Sequence, residues 1–113
     1  MTKPGALLPV TTGPDIQGYK ITRVLGVVRG IVVRSPGFKR GIVGSFKSLF
    51  SGNIKEFEDV CEQARAEAYG RMVAHANLVD ADAIVAMRYD ATDFAQGVTE
   101  VLAYGTAVKL APA

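Results

Sequence analysis

The side chains best suited to soft-metal or nucleophilic chemistry are one cysteine, Cys61, and one histidine, His75. Soft heavy metals bind through two or more thiolates or imidazoles. The two residues are 14 positions apart in a stretch that reads as a single helix, roughly 21 Å at 1.5 Å per residue, so one copy of the chain cannot place both on an ion. Cys61 falls on the buried stripe of that helix and fits a small core residue better than a reactive thiol. His75 lies beside the same stripe near the helix end, where a hydrogen-bonded core or interface imidazole is the expected reading rather than a general base. Asp80, Asp82, Asp90 and Asp93 could hold a hard cation, but their spacing matches no calcium loop, and capping or solvation accounts for them. Arg88, Asp90, Glu100 and Tyr104 come together across a predicted hairpin, where cross-strand ion pairing explains them. The stretch Gly41 to Gly44 lacks the lysine of a phosphate loop. No catalytic, cofactor-binding or metal-ligating residue is therefore assigned, and a non-enzymatic protein without a cofactor is expected.

Charge is distributed unevenly. Between Ile16 and Lys55 there are eight bases and no acid, whereas from Glu56 onward ten acids face four bases; Lys3 balances Asp15, leaving the net +2. Pairing of the two halves, within or between copies, accounts for the asymmetry. Lys39, Arg40 and Lys47 could also gather a small anionic ligand. Nucleic acid is not an expected partner, because there is neither an aromatic-interleaved motif nor a recognition-helix signature.

The element that positions most of these residues is a long amphipathic helix over Asn53–Val79. Asn53 and Glu56 have the spacing of a capping box. Ile54, Phe57, Cys61, Ala64, Ala68, Met72, His75, Ala76 and Val79 recur at three- and four-residue intervals and form one apolar face. Its small residues Ala64 and Ala68 would let another backbone come close. The helix ends without a glycine, so Asp80 is expected in the left-handed conformation at some cost. Tyr19–Arg34 alternates and is rich in β-branched residues, which predicts a strand; Gly26 and Gly30 within it suggest a bulge, a bend or close approach of another backbone. Beyond Ser35-Pro36-Gly37, residues 38–50 place Phe38, Ile42, Phe46, Leu49 and Phe50 at helical spacing, a short amphipathic helix. Ala83–Asp90 reads as a second strand with Val85, Met87 and Tyr89 on one side, residues 91–97 as a polar connection, and Val98–Leu110 as a third strand.

The order β-α-α-β-β predicts an α+β fold, a three-stranded antiparallel or mixed sheet with the long helix across one face and the first strand beside the last. At 113 residues, 49% hydrophobic and 21% charged, the chain is one globular domain, with a flexible tail at 1–14 and the domain at 15–113. No run is long and apolar enough to span a bilayer, and Pro4 and Pro9 argue against a secretory signal, so a cytoplasmic protein without stable membrane insertion is expected. A sheet apolar on both faces with one helix to cover it calls for copies of itself, hence a symmetric homo-oligomer.

Gly41-Ile42-Val43-Gly44-Ser45-Phe46-Lys47-Ser48-Leu49, Ala64-Arg65-Ala66-Glu67-Ala68 with Arg71-Met72, Asp80-Ala81-Asp82-Ala83-Ile84-Val85 with Met87-Arg88-Tyr89-Asp90, and Glu100-Val101-Leu102-Ala103-Tyr104-Gly105-Thr106-Ala107-Val108 form an ordered set. Together they resemble the small bacterial YbjQ-like family, which carries a heavy-metal-binding label, over about residues 15–110. The resemblance implies a dodecin-like subunit assembled as a ring-shaped homopentamer, with extra short strands joining subunits. It implies no agreed catalytic residues and no established biochemical function; a binding or scaffold module is expected, with a small-ligand or metal-ion site between subunits as the alternative. The chain departs from the family pattern in having Asp80 where a glycine usually opens Gly-Ala-Asp-Ala, and Ser51-Gly52-Asn53 where Gly-Gly-Glu is usual.

Overall fold

The computed structural model describes residues 7–34, 54–95 and 98–113, with the backbone alone at 54–58, 94–95 and 98. The predicted short helix at 38–50, its basic residues Lys39, Arg40 and Lys47, and the Asn53–Glu56 cap lie outside the described residues or side chains. Four elements follow in order: β1 (Tyr19–Arg34), α1 (Ile54–Leu78), β2 (Ala83–Ala95) and β3 (Val98–Pro112). The sheet has the order β1-β3-β2 and both pairings are antiparallel. The first strand does sit beside the last.

Helix α1 crosses one face of this sheet. Ala64, Ala68, Met72 and Ala76, one stripe at four-residue spacing, are buried against Val28, Val32, Ile84, Met87, Ala103 and Ala107. The seat of the helix is Gly30: a Cβ built there would lie 2.0 Å from the Ala68 carbonyl oxygen and 2.6 Å from the Met72 nitrogen. Helix backbone rests directly on strand backbone, which is the close approach that the small residues on both elements suggest. Gly26, at φ +123°, meets the other expectation, because the β1–β3 register shifts between Val24 and Gly26.

The helix stops as its sequence predicts. Asp80 has φ 59°, its N–H donates to the Asn77 carbonyl at 3.1 Å, and the Ala81 N–H donates to the Ala76 carbonyl at 3.0 Å. These two bonds form a Schellman cap with Asp80 in the left-handed position, and buried Ala76 and Ala81 supply its apolar contact.

Three expectations change. First, β2 does not end at Asp90. Ala91, Thr92 and Asp93 pair with Val101, Glu100 and Thr99, so most of the expected polar connection is strand. Backbone pairing with β3 outweighs the weak β-propensity of Ala91 and Asp93. Second, Val85 and Met87 do not share a face. The β2–β3 register shifts between Val85 and Arg88, with Ala86 at φ 54°, so Ile84 and Met87 both face the helix while Val85 turns to the other side. Third, packed chain begins well before residue 15. Leu8 belongs to the core, and residues 9–13 run parallel to the outer edge of β2, joined by Thr11 N–H to Ile84 O (3.0 Å), Ile84 N–H to Pro9 O (3.0 Å), Ala86 N–H to Gly13 O (2.8 Å) and Met87 N–H to Thr11 O (2.9 Å).

The strap and the bulge are one device. Successive N–H groups of Ala86 and Met87 both point outward to it, which requires the bulge, and the bulge places a non-glycine residue in the left-handed region. Ala86→Gly is accordingly expected to raise unfolding stability by about 1 kcal/mol. Urea titration of both proteins checks it, and an unchanged or lower midpoint would mean that the Ala86 backbone carries no relievable strain.

Candidate functional site

The residues singled out by chemical type are dispersed. Cys61 is half-buried on α1 and free. His75, two turns beyond the Gly30 seat, accepts a hydrogen bond through Nδ1 from the Arg29 backbone N–H at 3.2 Å. Asp80 and Asp82 are held by Lys109, whose Nζ lies 3.4 Å and 3.5 Å from their carboxylates and 2.9 Å from the Asp80 carbonyl; Asp82 also accepts the Leu110 N–H at 2.8 Å. The carboxylates nearest the helix end thus cap and brace that corner. Asp90 and Asp93 are exposed, and Asp93 accepts from the Thr99 hydroxyl at 2.8 Å. Among the described residues no group of three or more histidine, cysteine, aspartate or glutamate side chains could hold a metal ion.

The expected ion pairing across the hairpin is replaced by backbone contacts. Arg88 stands opposite Tyr104, but its guanidinium donates to the carbonyls of Thr12 and Met87, both at 2.8 Å. It ties the N-terminal strap to β2. The sequence holds no local signal for this, since the partner is backbone 76 residues away.

A cluster that pattern reading passes over lies along the first strand. Glu67 pairs with Arg34 at 2.5 Å and with Arg71 at 3.0 Å, and Arg71 also donates to the Ile31 carbonyl at 2.6 Å. Glu67, Arg71 and His75, at i, i+4 and i+8, form a polar row flanking the apolar stripe, a signal that helical spacing does carry. The Arg34 guanidinium, by hydrogen bond and then by charge, holds the Glu67 carboxyl below its ordinary value of 4.5; desolvation works the other way and Arg71 adds to the lowering. A depressed carboxyl stabilises the fold above its unfolded value and stops doing so as pH falls through the folded one. Glu67→Gln should therefore flatten the loss of stability as pH drops below 4.5. Thermal melts of both proteins between pH 3 and 7, about half a unit apart, test this; parallel acid limbs would remove Glu67 from the linkage. On the same side of the sheet, Arg65 lies 5.8 Å from the centre of the Tyr89 ring. Desolvation by burial raises the Tyr89 phenol, with Tyr69 and Glu62 adding and Arg65 opposing.

The largest feature is a surface. Ile21, Val24, Val27, Ile31 and Val33 stand opposite Leu110, Val108, Thr106, Leu102 and Glu100 on β3, the set that alternates with the helix-facing Val101, Ala103 and Ala107. They therefore point away from α1. Ile16 and Leu110 cover only one corner, around Ala83, Val85 and Val108. The β1 residues remain open: Val24 and Val27 are each 63% exposed and Val33 51%. No helix among the described residues is long and apolar enough to cross a membrane.

An antiparallel three-stranded sheet with one face covered by a helix and one open, largely apolar face defines a small α+β protein. The chain matches, over residues 8–111, the family model YbjQ_1, described as "Putative heavy-metal-binding", and it belongs to that family. It is 52% identical to a UPF0145 protein of Chromobacterium violaceum over 91% of this chain and 88% of that one. It is 56% identical to a UPF0145 protein of Burkholderia mallei, covering 88% and 90%. A crystal structure of a protein of unknown function from Pediococcus pentosaceus, assigned to the DUF74 family, superposes with a TM-score of 0.58 at 18% identity, covering 92% of this chain and 98% of that one. That likeness shows the fold alone.

Proposed function

We propose that this protein is a non-enzymatic, ring-forming homo-oligomer, a pentamer of dodecin-like subunits, acting in the cytoplasm as a binding or scaffold module. The open row Ile21, Val24, Val27, Ile31 and Val33 carries the reading: a largely apolar sheet face, interrupted at Arg29, is stabilised when it is covered, and further copies of the same chain cover it at every subunit. The ring and the number five come from the family resemblance.

Native mass spectrometry of untagged, chelator-free protein is the test, with a pentamer expected. Replacing Val24 and Val27 together by lysine should yield monomers with an unchanged far-UV spectrum, because both positions are open within the subunit and exposed substitutions cost about 0.5 kcal/mol or less. A monomeric natural protein, or a double variant that assembles normally, would overturn the proposal. A reproducible extra mass on the pentamer would favour the second reading, a metal or small-ligand site between subunits, which the description of the family itself raises.

A further inference from the structure

Among the described residues β1 is an edge strand, so every second residue presents a backbone N–H and C=O with no described strand to receive them. At its centre these groups are taken up by helix side chains instead. The outward N–H of Arg29 donates to His75 Nδ1 at 3.2 Å, and the outward C=O of Ile31 accepts from Arg71 at 2.6 Å. The fit is a coincidence of repeats: one helical turn advances about 5.4 Å and two strand residues about 6.8 Å, so neighbouring turns reach alternate strand residues. Glu67, one turn further back, fixes Arg71 and joins it to Arg34 at the strand end.

The two contacts respond differently to acid. Arg71 is a permanent donor. His75 can accept only through an unprotonated Nδ1, with its ring proton on Nε2; a second proton puts a donor against the donor of Arg29. The imidazole is partly exposed, so a proton can reach it from solvent. The charged groups around it offer no compensation: Arg71 precedes it by one turn, the Arg29 side chain lies in the row with Val27 and Ile31 that points away from α1, Asp80 beyond the helix end is engaged with Lys109, and among the described residues no carboxylate pairs with His75.

We propose that His75 is an acid-released latch on the free edge of β1, holding the Arg29 amide when neutral and leaving it unpaired when protonated. Release exposes an edge N–H on a strand whose adjacent face is apolar. The latch is formed within one subunit.

Amide hydrogen exchange of the full chain, followed by NMR at pH 8 and pH 5 and corrected for intrinsic rates, tests it. Protection of the Arg29 amide should fall about tenfold or more at pH 5, while the amides of Val28 and Gly30, which alternation turns toward β3, keep theirs. His75→Asn, which places an acceptor oxygen near the Nδ1 position and does not titrate, should protect Arg29 at both pH values; His75→Ala should protect it at neither. Equal protection of Arg29 at both pH values in the natural protein, or the same fall in His75→Asn, would overturn the latch. The imidazole nitrogen shifts at pH 8 give a reading that needs no variant: they should report the proton on Nε2, and a proton on Nδ1 would overturn it too.

Discussion

Gly30→Ala is expected to cost about 3 kcal/mol or more, on the order of 10 °C in Tm, although it adds a single methyl group. The methyl would stand 2.0 Å from the Ala68 carbonyl oxygen, 2.6 Å from the Met72 nitrogen and 2.7 Å from the Arg71 Cβ. Two of those three atoms are backbone, so no rotamer change relieves the clash and α1 has to lift off the sheet. Lifting it loosens the core stripe beneath Ala68 and Met72. The same substitution at Gly70, two residues away on the exposed side of α1, meets nothing within 4 Å. Gly70→Ala should stabilise by roughly 0.5–1 kcal/mol, because alanine loses less backbone entropy in a helix. Thermal melts of the pair give opposite signs for identical chemistry. If Gly30→Ala melted within about 2 °C of the natural protein, the helix would not be seated on that glycine.

Met72→Ala is expected to cost about 2–5 kcal/mol, because the side chain is fully buried between α1 and the sheet and its removal leaves a cavity. Much of the rest of the interface is small: Ala64, Ala68, Ala76, Ala103 and Ala107 bring the layers together but contribute little apolar area each. Met72, with Val28, Val32 and Ile84, is among the largest fully buried side chains. Met72→Leu, which nearly conserves volume, should stay within about 1.5 kcal/mol. Denaturant titrations with unchanged slopes separate the two. Equal midpoints for the alanine and leucine variants would show that packing at this position is not limiting.

Neither expectation depends on a functional assignment. The glycine and methionine predictions rest on distances and burial within one subunit, whereas the Val24 and Val27 substitutions leave the subunit intact and read assembly. Failure of one set therefore leaves the other standing.

Much of the fold is legible in the chain. Alternation over Tyr19–Arg34, the four-residue stripe from Ala64 to Ala76, and the glycine-free stop at Asp80 are local signals, and each produces the element it predicts. Gly26 and Gly30 mark, respectively, a register shift and a backbone contact, as glycines in strands often do. The bulge at Ala86 was not legible, since alanine carries no turn signal. Its backbone is set by the strap at residues 9–13 and by Gly105 opposite, where a Cβ would press on Ile84 at 2.5 Å and on the Val85 carbonyl oxygen at 3.1 Å. The candidate site divides in the same way. That the strands are apolar on both faces is visible in the alternation; which face stays open depends on the side that α1 takes.

By itself, then, the sequence determined where helix and strands form, how the helix ends and how closely helix and strand can approach, because hydrophobic period, caps and glycines act within a few residues. Only the tertiary structure decided that Arg88 would tie down the strap, that Arg71 and His75 would close the edge of β1, and that Ile21, Val24 and Val27 would be left uncovered. The first two outcomes turn on backbone N–H and C=O groups left without partners once strand order is set, and every residue has such groups, so no pattern of side chains announces which of them will be left; the third turns on which side of the sheet α1 takes.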